Sequence, residues 1–422
     1  MTMDAWIAAA VFVTAYVLIA LERWDRTIVA MIGGLLMVVL GIIDQHEAFA
    51  AIDLNVIFLL AGMMVIASIL ARTGFFDWLA IRSVILSGGH PMRLLLILAT
   101  VTAVLSAFLD NVTTVVLMTP VTLSVARRLG VSPVPYLISS ILASNIGGTA
   151  TLIGDPPNIL IGSAAGLGFG EFLANLGPVT VLVFIAFVVI VRVAFRDLQV
   201  PDERREAALE RGEENAIRDR PLLVKSLVVA GATIFGFLIH SAVGVEPATV
   251  ALLGAMVLML IAGLDAHKTL REIEWSTLFF FVGLFILVEA IVQVGVVGGI
   301  ADALANATQG QAALATIGML WFSAIASAIV DNIPYTATAI PVVQRLAETG
   351  MAAEPLWWAL ALGACLGGNL TILGASANVV VSNVALRAGN PIRFVEFFRY
   401  GAVVVLASMV ISTGYLWVRY LA

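Results

Sequence analysis

Apolar stretches long enough to cross a bilayer recur along the chain, and the breaks between them carry as much information as the stretches. Runs near 5–21, 27–43 and 54–70 are each apolar over close to the roughly 20 residues that a crossing helix needs. A segment with hydrophilic edges follows, RTGFFDWLAIRS. Its Phe75, Phe76 and Trp78 sit between Arg72 and Arg82 like an anchor at the headgroup level. Runs 93–109 and 113–129 are joined only through Asp110-Asn111, with no hydrophilic loop, which predicts a re-entrant hairpin rather than two crossings. Segment 134–166 is apolar at both ends and rich in Gly, Pro and Thr between 145 and 158, which predicts one discontinuous span. Run 172–195 closes this half.

The pattern then repeats. Spans are predicted near 221–241, 246–263 and 275–291, followed by a small amphipathic piece at 296–307. Hairpin arms follow at 311–330 and 335–347, then a broken span at 355–388 and a last span at about 400–420. The motifs repeat as well. LDNVTTVVLMTP is answered by VDNIPYTATAIP, with Asp110 and Asp331, Asn111 and Asn332, and Pro120 and Pro341 each 221 positions apart. SNIGGTATLIGDPPN is answered by ACLGGNLTILGASAN. Gly148 and Gly368, Thr151 and Thr371, and Asn158 and Asn378 are each 220 apart, so one residue is lost in the link. The expected organisation is a first inverted repeat over 1–196, a cytoplasmic charged linker over 197–220 and a second inverted repeat over 221–422. The fold class is an all-α polytopic membrane protein. Each repeat has three spans, a re-entrant hairpin, a discontinuous span and a closing span.

Each half then crosses five times, an odd number, so the second half enters inverted. Basic residues collect on the cytoplasmic side of a membrane protein. With residue 1 outside, 20 of the 22 Lys and Arg fall inside, and only Arg345 and Arg419 fall outside. Both termini are therefore expected outside, in a multi-pass protein of the cell (inner) membrane. The two hairpins open to opposite sides, and their tips are expected to meet near the midplane.

Composition narrows the class. The chain is 61% hydrophobic and 12% charged, against about 25% charged residues in a soluble domain. One cysteine, Cys365, excludes an intrachain disulfide and a thiolate metal cage built from this chain alone. No Lys or Arg precedes the first apolar run, which argues against a cleaved signal peptide. The only lysines, Lys225 and Lys268, do not follow the glycine spacing of a nucleotide loop. ATP hydrolysis by this chain, a bound cofactor and nucleic-acid binding are not expected.

Chemistry concentrates in the two repeated clusters. Broken helices persist at membrane depth only where they line a cavity or are buried in protein. Their half-helix ends offer N–H groups to anions or hydroxyls and carbonyls to cations. The candidate substrate-binding residues are Asn111, Thr113, Thr114, Asn145, Gly148, Thr149, Thr151 and Asn158 in the first half. In the second half they are Asn332, Thr336, Gly368, Asn369, Thr371 and Asn378. Ionisable residues inside a membrane are costly and functional by default. This makes Asp110, Asp331 and Asp155 the candidates for proton or ion coupling. Asp155 has no twin, because Ala375 holds the equivalent place. The structural alternatives are capping of the hairpin tips for Asp110 and Asp331, and a turn before Pro156-Pro157 for Asp155. Glu289 lies in the last turns of a span and is read as reaching the interface. His46, His90, His240 and His267 fall at loops or span ends and are expected on the surface. Cys365 is read as a small buried side chain. No basic residue falls within either cluster, so a charged substrate would rely on helix ends, hydroxyls and co-bound cations.

At these motifs the chain resembles the ion-transporter superfamily. That superfamily groups arsenite efflux proteins of the ArsB type, NhaD-type sodium/proton antiporters, the melanosomal P-protein and the divalent-anion/sodium symporters. The four motifs resemble the P-protein and ArsB-like branch most closely, and the resemblance covers nearly the whole chain. The symporter branch carries Ser-Asn-Thr at its tips, whereas these tips read Asp110-Asn111-Val112-Thr113 and Asp331-Asn332-Ile333-Pro334. The resemblance implies a scaffold, a mobile unit of hairpins and broken helices, and alternating access by movement of that unit. The expected function is secondary transport: efflux of arsenite or antimonite in exchange for protons. As(OH)3 would find hydroxyl and amide partners at Asn111, Thr113, Thr149, Asn332, Asn369 and Thr371. The alternatives are Na+/H+ antiport, Na+-coupled carboxylate uptake, and a membrane subunit driven by a cytosolic ATPase partner docking on Glu203 to Arg220. Catalysis lacks a nucleophile–base pair at membrane depth, and the oligomeric state stays open, a homodimer included.

Overall fold

The computed structural model describes residues 2–21, 23–198, 216–308 and 310–422. Most of the linker, 199–215, lies outside these, and with it most of the segment on which an ATPase would dock. The first half runs α1 (Met3–Ala20), α2 (Arg26–Val39), α3 (Gln45–Ala50), α4 (Leu54–Arg72), α5 (Phe75–Ser87), α6 (Pro91–Phe108), α7 (Asn111–Leu129), α8 (Val134–Gly148), α9 (Pro156–Ala165) and α10 (Phe169–Ala194). The second half returns the same order: α11 (Arg220–Val243), α12 (Pro247–Ala262), α13 (Ala266–Leu270), α14 (Trp275–Gln293), α15 (Val296–Ala307), α16 (Ala312–Ile329), α17 (Asn332–Glu348), α18 (Ala353–Gly367), α19 (Ser376–Arg387) and α20 (Phe394–Leu416). Each helix of the first half has its twin ten places on. The protein is all-α, with two repeats of three spans, a hairpin, a broken span and a closing span. Among the described residues, nine helices are long and apolar enough to cross a membrane.

Acidic N-caps and glycine C-caps set many of the boundaries. Asp25, Asp53, Asp219 and Asp265 each accept a backbone N–H at the start of α2, α4, α11 and α13. Gly130, Gly166, Gly244 and Gly263 end α7, α9, α11 and α12 at φ of 64–67°. The short helices α3 and α13 were not expected from the apolar pattern. Asp44 and Asp265 cap both, at equivalent positions. Spans 27–43 and 246–263 prove shorter than their apolar runs. Helix α2 has 14 residues and α12 has 16, about 21 and 24 Å at 1.5 Å per residue. Gly41 at φ 71° turns the chain before the first apolar run is spent, and Gly263 at φ 64° ends the second.

Inversion follows from the contacts. Thr27 Oγ1 at the start of α2 donates to the Ser276 carbonyl at the start of α14 (2.9 Å). Asn55 Nδ2 at the start of α4 donates to Glu246, the N-cap of α12 (3.2 Å). Helices α2 and α4 are consecutive and antiparallel, so their starts lie on opposite faces. The twins α4 and α14 therefore point in opposite directions. Further contacts near the helix ends sort into the same two faces. Arg72–Glu272 (2.8 Å) and Lys225 to the Ile261 carbonyl (2.7 Å) lie on the α2-start face. Arg419 and Tyr415 meeting Asn175 (2.7 and 2.6 Å) lie on the other.

Packing divides the helices into two bodies. In one, α2 packs along α14 and α4 along α12. In the other, α6 packs along α8 and α16 along α18, with α7 crossing to α19 and α17 to α9. The second body depends on small residues, since helix association in lipid rests on close van der Waals contact. A Cβ at Gly147 would lie 2.0 Å from the Ala103 carbonyl, and one at Gly367 would lie 2.4 Å from Ala324 Cα. Gly147→Leu is therefore expected to cost about 3 kcal/mol through overpacking. It should abolish the monodisperse peak on size-exclusion chromatography. Gly231→Leu, where an added Cβ meets nothing within 4 Å, should elute as the wild type does.

Candidate functional site

Both hairpin tips and both helix breaks converge on one buried polar cluster. The arms of the first hairpin are α6 and α7. Leu109 is extended, and Asp110 N-caps α7 by accepting the Thr113 N–H (3.0 Å). The second hairpin, α16 and α17, turns at Val330 and Asp331, with Asp331 accepting the Ile333 N–H (3.0 Å). Both tip aspartates therefore do cap their helices. The shift from the third to the second residue has a simple cause: Pro334 stands where Thr113 does and carries no N–H.

The breaks are Thr149–Asp155 between α8 and α9, and Gly368–Ala375 between α18 and α19 with a 3-10 turn at Ile372–Gly374. Their freed carbonyls are taken up by side chains in a repeated way. Asn158 Nδ2 lies 2.8 Å from the Thr151 carbonyl, 3.2 Å from that of Thr149 and 3.4 Å from that of Gly148. Asn378 Nδ2 bonds the Thr371 and Gly368 carbonyls at 2.9 and 2.8 Å. Thr151 donates to Ala107 and Thr371 to Ala328, tying each break to its hairpin. Gly148 and Gly154 approach each other closely, and a Cβ on either would lie 2.5 Å from the other's carbonyl.

Asn145, at the end of α8, joins the halves. Its Nδ2 donates to Asn369 Oδ1 and Asn378 Oδ1, both at 2.9 Å, and its Oδ1 accepts from Asn111 Nδ2 at 3.1 Å. Cys365, its twin, is buried and bonds Asn158 Oδ1 at 3.4 Å. Asn332 from the second tip donates to both oxygens of Asp155, at 3.1 and 3.3 Å. Asp155 is fully buried and, although it stands at the N-cap of α9, its side chain makes no capping bond. Its backbone carbonyl accepts the Asn158 N–H (2.9 Å) as the chain turns into α9, which leaves the carboxylate for Asn332. Ala375 adopts the same backbone, φ −152° and ψ 143° against −143° and 132°, but has no carboxylate.

The structure thus gathers Asn111, Asn145, Thr149, Thr151, Asn158, Asn332, Asn369, Thr371, Asn378, Asp110, Asp155 and Asp331 at the breaks and tips, with Gly148 and Gly368 as their backbone. Thr114 and Thr336 lie one turn behind the tip asparagines on the same helix faces. Thr113 is half-buried beside Asp110. Three buried polar atoms of this group have no protein partner: Asn111 Oδ1, Thr114 Oγ1 and Thr336 Oγ1. Among the described residues no three His, Cys, Asp or Glu side chains group as a metal cage.

Two expectations need correction. A basic residue does reach the cluster: Arg26, from the start of α2, lies 3.4 Å from Asp331 and also bonds Ser376. Its position far from either motif gives no sequence signal. Nor is every histidine on the surface. His240 is buried, with Nδ1 3.0 Å from the Val245 carbonyl and Nε2 3.1 Å from Ser241 Oγ. It lines a cavity of about 500 Å3 with Asn55, Glu246, Leu152 and Ile159. This vestibule opens on the α4-start face and ends on the first break.

A helical protein with inverted repeats and two discontinuous spans meeting at a buried polar centre is a secondary transporter. The chain belongs to the family whose model is described as "CitMHS: Citrate transporter", which matches residues 16–363. It is 46% identical to an uncharacterized transporter of Mycobacterium tuberculosis (strain ATCC 25618 / H37Rv), over 98% of each chain. It is 44% identical to the "46 kDa membrane protein" of Mycobacterium leprae, over 98% of this chain and 99% of that one. It is also 33% identical to the P protein of Homo sapiens, covering 98% of this chain but 60% of the P protein. Among solved structures, the YdaH transporter of Alcanivorax borkumensis matches 99% of this chain and 97% of its own, with a TM-score of 0.56 at 16% identity. That likeness is one of fold.

The centre depends on Asn145. Asn145→Ala leaves the carbonyl oxygens of Asn369 and Asn378 buried without this donor, at about 1–3 kcal/mol each. The thermal midpoint in detergent should fall clearly. Thr180→Val, which removes a buried hydroxyl that has no partner, should leave it within error of wild type.

Proposed function

We propose that this chain exchanges protons for a small hydroxyl-bearing solute, foremost arsenite or antimonite as the neutral hydroxide, moving it out of the cell. The observation that carries the reading is Asp155. It is a fully buried carboxylate held by the Asn332 amide beside the Cys365 thiol, with no cation among its bonded partners in the described residues. An ionised carboxylate in that position needs a counter-charge, and a proton or Na+ supplies it. The solute half of the reading rests on the unpartnered Asn111 Oδ1, Thr114 Oγ1 and Thr336 Oγ1. These are one acceptor and two hydroxyls, suited to a solute that both donates and accepts. The centre holds Asp110, Asp155 and Asp331 against Arg26 alone, a balance that favours neutral or cationic solutes. We assign both termini to the outer face and 197–220 to the cytoplasm on the strength of the basic residues.

Citrate or another carboxylate, carried with cations, is the second reading. The family model's description names citrate, and Arg26 is a basic group at the cluster's edge that an anion could engage. Uptake into everted vesicles with an imposed pH gradient separates the two. Arsenite accumulation driven by interior acid should be present in wild type and reduced at least about tenfold, to background, in Asp155→Asn. Accumulation of citrate or sodium with no movement of arsenite would overturn the metalloid reading.

A further inference from the structure

The two hairpin tips carry the same Asp-Asn pair, yet their surroundings are unlike. Among the described residues Asp110 has no ion-pair partner, while Asp331 lies 3.4 Å from Arg26. Ser376 bonds both the Asp331 carboxylate and the Arg26 guanidinium. The Arg26 side chain is 30% exposed and that of Asp331 12%, so water screens the pair only partly. The guanidinium also lies over the Phe280 ring, 5.2 Å from its centroid. Three departures from the repeat build this corner. Pro334 replaces Thr113 and shifts the cap of Asp331 to the Ile333 N–H. Ser376 stands where Pro156 does, and Arg26 where Pro247 does. Nothing equivalent is built at the first tip.

We infer that Arg26 is a positioning residue that keeps Asp331 a standing negative charge and pins the second hairpin tip to α2, so that proton uptake at the centre falls to Asp155 and Asp110. For proton uptake the inference rests on the reading of Asp155 above; for the pair it does not. Protonating Asp331 would strand a guanidinium that cannot lose its own proton. The other charged groups facing this corner are acidic. Glu274 is the N-cap of α14, whose start bonds that of α2 beside Arg26, and Asp155 accepts from Asn332, the neighbour of Asp331. Among the described residues Arg26 is thus the one cation of this corner. The same pair joins the two helix bodies, since α2 belongs to one and the hairpin tip to the other.

Infrared difference spectra of the purified protein between neutral and acid pH test this without knowledge of the solute. In wild type the protonated-carboxyl band should be unchanged by Asp331→Asn. Arg26→Gln should add a band that Asp331→Asn then removes, and Arg26→Lys should restore the wild-type spectrum. A wild-type band that disappears in Asp331→Asn would overturn the inference. If Arg26→Gln does not fold, wild type against Asp331→Asn decides alone. Asp155→Asn serves as the separate control. A band unchanged there would remove the proton-carrier reading of Asp155 and leave the Arg26–Asp331 assignment standing.

Discussion

A helix cannot be interrupted in hydrocarbon unless other groups accept what the break exposes, because each unpaired backbone group there costs several kcal/mol. This chain interrupts two helices, and the carboxamides of Asn158 and Asn378 take up the exposed carbonyls. Much else follows from that requirement. Each carboxamide must sit in the first turn of the following half-helix to reach back across the break. The hairpin must come close enough for Thr151 or Thr371 to bond its last turn. The helix carrying the break must in turn lie against the hairpin arm with glycine at the contact. The polar centre is therefore a condition of the fold as much as a site placed upon it.

The frame is symmetric, and the chemistry sits where the symmetry fails. In the repeat Asp155 corresponds to Ala375, Asn145 to Cys365, Thr149 to Asn369 and Pro156 to Ser376. The paired residues occupy matching positions in the repeat, so each difference changes the chemistry of the centre within the same frame. Asn145 can donate twice and accept once, and it links the two halves; the Cys365 thiol makes one long bond. Asp155 adds a carboxylate where its twin adds a methyl group.

Much of the fold was legible in the sequence, for physical reasons that can be named. Apolar length marks spans, and Asp-Asn between two apolar arms marks a hairpin, since the Asp can cap the second arm where the chain turns. Period 221 reveals the repeat, and the odd crossing number implies inversion. What stayed hidden was the part that depends on separation in space. Helix α2 ends early because Gly41 turns the chain while the residues around it are still apolar. Helices α3 and α13 have five or six residues and no apolar period, and only their aspartate caps announce them. The candidate residues within the motifs stand out because they repeat. Arg26 was missed because it does not: it lies 305 residues from Asp331, and its twin position holds a proline. His240 stands at a span end, where a surface position is expected, but the start of α10 covers it there.

A transport family can keep one frame and change its solute, and this centre suggests how. The groups that satisfy the breaks, Asn158, Asn378, Thr151 and Thr371, are committed to backbone carbonyls and have little freedom to vary. The groups left over are few: Asp155, Asn332, the free oxygen of Asn111, the hydroxyls of Thr114 and Thr336, and the Arg26–Asp331 pair at the edge. Changing these alters charge and hydrogen-bond demand without reopening a helix break. Relatives sharing nearly the whole frame can therefore differ in cargo. For that reason the carboxylates and the single guanidinium weigh more in reading this chain's function than the family resemblance does.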